Sequence, residues 1–142
     1  MGPAPPPPAT PPAIDLPTTD LDRIIGHTGK VAGGTYQFAF ARAEKIVEHG
    51  IEIPPAIMNI PLNFQPTGNG RAAITGDFVL IASEVNPVIR TLRSGGVTIT
   101  ALHSHMLAER PRLFFIHFWA NDDATKLATT LRSALDHMNV KK

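Results

Sequence analysis

The chain is 142 residues long, 43% hydrophobic, 18% charged and 6% aromatic, which is enough for one domain with a real core and not for two. Thirteen basic residues against 12 acidic ones leave a net charge of +1, and their scatter argues against a sequence-independent grip on nucleic acid. No apolar run nears the roughly 20 residues of a membrane-spanning helix, and the lack of cysteine removes disulfides, thiolate metal sites and cysteine nucleophiles.

Eight of the 14 prolines fall between Pro3 and Pro17. Such a stretch has no regular hydrogen bonding and little to bury. Residues 1–20 therefore read as a Pro-rich tether or disordered tail, and 21–142 as a single domain. No apolar h-region follows Met1-Gly2, so no signal peptide is legible, and Pro6 defeats the myristoylation pattern.

Behind Gly33-Gly34, the residues Tyr36, Phe38 and Phe40 alternate with Gln37 and Ala39, which predicts a strand. Pro54-Pro55 breaks the chain before a second apolar run, Ala56 to Phe64, where Pro61 points to an edge strand or a bulge. Gln65 to Gly70 has turn chemistry, and a third strand runs from Ala72 to Ile81. Ser83 offers an N-cap with Glu84 against the helix dipole. Val85, Val88, Ile89 and Leu92 follow at helical spacing, with Pro87 in the first turn, until Gly95-Gly96 stops the helix. A fourth strand, Val97 to Leu107, and a fifth, Leu113 to Ala120, flank the link Ala108–Arg112. Asp122 caps a last helix with the stripe Ala124, Leu127, Ala128, Leu131, Leu135 and Met138. The order β-β-β-α-β-β-α predicts an α+β domain: a mostly antiparallel sheet with two helices on one face.

His103-Ser104-His105 lies in the fourth strand, where residues i and i+2 project to the same side. In a hairpin that pairs residue i with 220 − i, His117 falls opposite His103; a slip of two leaves it diagonal on the same face. Glu109 follows four residues after His105. Three imidazoles and a carboxylate suit a divalent ion, zinc first, with copper, nickel, iron or manganese as alternatives. Such a set leaves room for water or substrate, so Glu109 is a candidate both for fourth ligand and for general base. A single buried histidine is more often a satisfied core residue than a ligand. Three at facing positions beside a glutamate carry the metal reading, with a metal-free polar pocket as its rival.

Arg110 and Arg112, on either side of Pro111, are placed to clamp an anionic substrate, with plain solvation as the alternative. Asp77, an acid in an apolar strand, is a candidate to orient a histidine from behind. His27, His49 and His137 read as loop or surface residues. Ser104 points away from its two histidine neighbours, which argues against a nucleophilic pair. Gly68-Asn69-Gly70 lacks the Lys-Ser/Thr of a phosphate loop, and Phe114, Phe118 and Trp119 read as core.

The spacing Gly96-x6-His103-x-His105-x3-Glu109 resembles the first metal motif of cupins, with His117 in place of their later histidine. The flanking helices do not suit a double-stranded β-barrel, so the cupin fold is not carried over. The segments Ala73-Ile-Thr-Gly-Asp-Phe-Val-Leu80, Glu84-Val-Asn-Pro-Val88, Val97-Thr-Ile-Thr-Ala-Leu-His-Ser-His-Met106, Glu109-Arg-Pro-Arg112 and Ile116-His-Phe-Trp-Ala-Asn121 resemble the LppY/LpqO domain family, over about Leu21 to Asn139. That resemblance implies a bacterial protein, exported or lipid-anchored, and supplies no reaction. It also implies two domain copies in many members; with one copy here, a homodimer is the expectation. The combined expectation is an exported metal-binding domain that takes a small-molecule ligand. It is either a metal-dependent hydrolase or oxidoreductase, or a non-catalytic ligand- or metal-binding module of the cell envelope.

Overall fold

The computed structural model of the chain describes residues 2, 4–6, 13–56 and 58–141, and much of the Pro-rich stretch read as a tether lies outside these described residues. The chain enters through α1 (Thr18–Ile25), then forms the hairpins β1 (Lys30–Ala32) with β2 (Thr35–Phe40), β3 (Ile46–Glu48) with β4 (Ile51–Ile53), and β5 (Ile60–Gly68) with β6 (Arg71–Leu80). There follow α2 (Ala82–Ser94), β7 (Thr98–His103), β8 (Glu109–Arg110), β9 (Phe114–Asp123) and α3 (Ala124–Leu135). Six strands make one sheet in the order β1-β2-β5-β6-β9-β7, and three make a small one, β4-β3-β8. Every pairing among the described residues is antiparallel. No helix among them is long and apolar enough to cross a membrane.

This is a mixed α+β fold dominated by antiparallel sheet. The elements β2, β5, β6, α2, β7, β9 and α3 reproduce the expected order. The two expected helices are joined by a third, α1, whose buried stripe is only Leu21 and Ile25, too short to mark a helical period in the sequence. Its hold on the sheet is polar as well as apolar. Asp22 Oδ1 accepts from the Tyr36 hydroxyl at 2.7 Å and from the Gly29 N–H at 2.9 Å. Burial and the Asp22 carboxylate together push the Tyr36 phenol up to about 12, so it stays a donor.

Period-two burial explains the strands. Tyr36, Phe38 and Phe40 of β2, Leu62 and Phe64 of β5, Ile74 and Phe78 of β6, and Ile116 and Phe118 of β9 all face the core. Against them pack Val88 and Leu92 of α2 and Leu127, Leu131 and Leu135 of α3. The 3.6-residue spacing of these positions put one helical stripe on the sheet.

Several local expectations change. β5 is an interior strand, not an edge. Pro61 stands opposite Ala39 on β2, but its carbonyl is turned toward Gly76 on β6, and it lies beyond the last pair of that ladder, Leu62↔Gly76, where the N–H that proline lacks is not called for; the bulge comes later, between Pro66 and Gly68. The turn of this hairpin narrows to Asn69-Gly70, both at positive φ. The N-cap of α2 is Ile81 rather than Ser83, so Pro87 sits two residues deeper in the helix than expected.

Glu84 holds that helix start to the rest of the molecule. Its carboxylate accepts from the Ile81 N–H at 3.0 Å, from the Asn139 N–H at 2.9 Å, and from Arg42 Nη1 and Nη2 at 2.6 and 3.1 Å. Arg42 also donates to the Val79 carbonyl at 2.7 Å and pairs with Glu44. One buried fork thus joins the segment after β2, the end of β6, the start of α2 and the C-terminal tail. Burial works against the Glu84 charge, but the Arg42 guanidinium and the two backbone N–H groups outweigh it and hold the carboxyl below the usual range.

In Glu84→Ala the buried guanidinium of Arg42 keeps only Glu44 and the Val79 carbonyl as partners, and urea unfolding should record a loss of up to about 3–5 kcal/mol. A depressed carboxyl contributes its stability above the ordinary glutamate value of about 4.3 and loses it as pH falls through the lower folded value. The wild type should therefore weaken more steeply on acidification than Glu84→Gln, and parallel curves would refute the pairing. At Gly76, a Cβ would stand 2.5 Å from Phe118 Cζ and 2.6 Å from the Pro61 carbonyl oxygen. Gly76→Ala should cost about 1–3 kcal/mol of thermal stability by overpacking; an unchanged Tm would mean the Phe118 ring can swing aside.

Candidate functional site on the open face of the sheet

α3 contacts β6 and β9, and α2 contacts β6 and β7, so the helices cover one face of the large sheet. Alternation along β9 turns Ile116, Phe118 and Ala120 toward them, and Phe115, His117 and Trp119 to the other side. Trp119, expected in the core, is accordingly 47% exposed, flanked by Thr75 on β6 and Thr98 on β7.

β9 lies between β6 and β7, and its register assembles the site. His117 stands opposite Asp77 on one side and Ala101 on the other, while Phe115 stands opposite His103. The pairing follows 218 − i, so His117 is diagonal to His103 on the same face, the slip of two that the sequence left open. A bulge between Ile99 and Ala101 separates this register from that of Thr98. β7 ends at His103 instead of running on to Leu107. His105 therefore leaves the strand and is exposed, but its ring stays 4.8 Å from His103 and 4.0 Å from Phe115, centroid to centroid.

The closest approach is between His103 Nε2 and His117 Nε2, 2.8 Å apart, with the rings stacked at 4.9 Å and 26°. Behind them, Asp77 Oδ1 lies 3.1 Å from His117 Nδ1. This approach is close but not aligned as a hydrogen bond, and Oδ1 remains a buried oxygen without a bonded partner. Burial pushes the Asp77 carboxyl up, against the downward pull of His117, His103 and His105 in that order; the same carboxylate thus feels all three imidazoles. With Nδ1 of His117 turned to Asp77, its Nε2 faces Nε2 of His103. Two ring nitrogens at this distance can share either a proton or a cation.

Glu109 stands apart from the cluster. It is fully buried in β8, on the small sheet, opposite Glu48. Its Oε1 accepts from the Leu113 N–H at 3.0 Å and lies 3.5 Å from Arg112 Nε. Burial opposes its charge, but the N–H groups of Leu113 and of Glu109 itself, with Arg112 and Arg110, bring the carboxyl below its usual range. Arg112 donates to the Leu107 carbonyl at 2.9 Å, and Arg110 pairs with Val47 across the small sheet. These three residues brace the loop that carries His105. Among the described residues, no group of three or more His, Asp or Glu side chains is gathered closely enough to hold an ion by itself.

Beside the histidines opens a cavity of about 430 Å³, walled by Ile53, Met58, Met106 and Phe115, with Asp77, His105 and Asn59 as its polar groups. Met58 and Asn59 come from the segment before β5 and carry no local sequence signal that links them to the His-x-His stretch. Met106 follows His105 directly, and that adjacency was legible.

Removing the loop's buried acceptor tests this bracing. Glu109→Ala leaves the Leu113 N–H without a partner and should cost about 1–3 kcal/mol, while Glu109→Gln, which keeps an acceptor oxygen, should cost less. Equal urea midpoints for both variants and the wild type would show that the carboxylate does not hold the loop.

Comparison with curated proteins gave no match, and comparison with solved structures gave none. A family described as a Domain of Unknown Function (DUF1259) matches residues 19–137, a span that takes in every strand and helix of the site. The chain belongs to this family.

Proposed function

We propose that this domain binds a first-row transition-metal ion on the open face of its sheet, through His103 and His117 with His105 adjoining. The observation that carries the reading is the 2.8 Å between the two Nε2 atoms. Metal–nitrogen bonds of about 2.0–2.1 Å let two such nitrogens reach one ion. Asp77, with Oδ1 3.1 Å from the far nitrogen of His117, supports it, since a carboxylate that accepted from that nitrogen would set the tautomer and the ring orientation of a ligating histidine. The reading leaves Glu109 out as ligand and base, because its Oε1 is engaged by Leu113 and Arg112. The local likeness of His103-x-His105 to the first metal motif of cupins supports the same reading without that motif's glutamate, and the likeness to the LppY/LpqO family supports an exported protein. A second reading rests on the cavity alone: a cell-envelope module that holds a small, largely apolar ligand without metal.

Elemental analysis of untagged protein, beside the triple variant His103→Ala, His105→Ala, His117→Ala, decides between them. Near-stoichiometric metal in the wild type and none in a folded variant is the expected result. Binding to the native state alone also raises stability, by about 2.7 kcal/mol at a hundredfold excess over Kd, so chelator should lower the wild-type Tm and leave the variant's unmoved. Wild-type protein that takes up no metal even when ions are supplied would sink the proposal and leave the cavity reading.

A further inference from the structure

The open face of the large sheet carries a second feature beside the histidine pair. A straight row of cross-strand partners runs over it: Gln37 opposite Asn63, Asn63 opposite Thr75, Thr75 opposite Trp119, and Trp119 opposite Thr98. Alternation sets the row on the open side, since the chain neighbours Phe38, Phe64, Ile74 and Phe118 are buried in the core. Gln37 and Asn63 are half-buried, and Thr75, Trp119 and Thr98 are exposed. At the β2 end of the row opens a cavity of about 290 Å³, lined by Thr28, Lys30, Gln37, Asn59 and Asn63 above Pro61. Three carboxamides thus converge on one concave place, and an exposed indole stands along the row from it.

The chemistry of the row narrows what can lie on it. None of its five residues is charged, and Lys30 is the one charged side chain among the described residues that line the cavity. A polyphosphate backbone therefore finds no cluster of cations. A peptide strand adds to a sheet at its edge, through backbone hydrogen bonds, whereas these polar groups stand on the face. A protein partner needs an apolar core to its interface, and Trp119 has a threonine on either side. Carboxamides both donate and accept, as sugar hydroxyls do. The face of an indole is the negative part of its quadrupole, which suits the C–H groups on the flat side of a pyranose ring. From Gln37 to Trp119 the row crosses three strand spacings, about 14 Å, a span that calls for several linked sugars rather than one.

We propose that this row binds an uncharged oligosaccharide, with one sugar held by the carboxamides of Gln37, Asn59 and Asn63 in the cavity and another stacked on Trp119. The row shares no residue with the histidine pair or its Asp77, and the inference does not depend on a metal there.

Trp119 is the only tryptophan of the chain, so its fluorescence reports on this face alone. The test titrates the full chain with maltotriose, cellotriose and triacetylchitotriose, all in the presence of chelator, so that failure of the metal reading leaves this result untouched. At least one trisaccharide should change the emission saturably, with a Kd below about 1 mM. Gln37→Ala/Asn63→Ala should weaken that binding about tenfold or more with Tm unchanged, and Trp119→Ala, followed by calorimetry, should do the same. No saturable change with any of the three sugars would overturn the proposal. So would a response that the double variant leaves unaltered. Emission that shifts with protein concentration in the absence of sugar would also overturn it, and would assign the face to a second copy of the chain. Should the double variant not fold, Trp119→Ala decides: binding heat equal to that of the wild type overturns the proposal, and its loss supports it.

Discussion

The register of β9 against both its neighbours is the constraint on which the rest of this molecule depends. β9 is inserted between β6 and β7, two strands that the chain joins through α2. Its inward residues Ile116, Phe118 and Ala120 seal the core under the helices, and its outward residues bring His117 between Asp77 and the end of β7. Side chains alternate with a period of two, so a slip of one residue would drive His117 into the core and Phe118 into water. The hydrophobic cost of that exchange is what fixes the polar cluster in place. Gly76 belongs to the same constraint, because the Phe118 ring occupies the space its Cβ would need.

Two buried carboxylates hold the periphery to this frame, each by a different route. Glu84 meets a guanidinium and two backbone N–H groups, so the desolvation of both charges is offset by four short hydrogen bonds. Glu109 has one backbone donor and a more distant guanidinium, and its Oε2 is buried without a partner. The first closes the end of the fold where tail, helix and sheet meet. The second secures the loop between β7 and β9 to the small sheet, which places His105 and Met106 at the cavity. The small sheet thus acts as the far wall of the cavity, with Ile53 at the end of β4 contributing directly.

The seven central elements were legible because their apolar periods are long and unbroken. β2 reads as alternation, and α2 and α3 read as helical stripes. The short elements were not. α1 has a two-residue stripe, and β1, β3, β4 and β8 run for three residues or fewer, too short for periodicity to rise above chance. Pro61 misled for an identifiable reason: proline excludes a strand interior only where a neighbour requires its N–H, and the ladder between β5 and β6 has ended by that point. Trp119 misled because size was read as burial, whereas its place in the alternation puts it on the open face.

Residue order alone determined that His103 and His117 would share a face, because both the exact hairpin pairing and the slip of two leave the parity of the strands unchanged. It determined the class of the fold as well, through the same periods. Tertiary structure decided which carboxylate stands with the histidines. Glu109 is near them in sequence, but the chain leaves the hairpin at Ser104 to pair β8 with β3, and that carries its side chain into another sheet. Asp77 is 40 residues upstream of His117, yet the β6–β9 ladder sets the two opposite each other. Spacing along a strand governs which neighbours share a face; which strands lie side by side depends on how the whole apolar surface is buried at once, and no local pattern contains that.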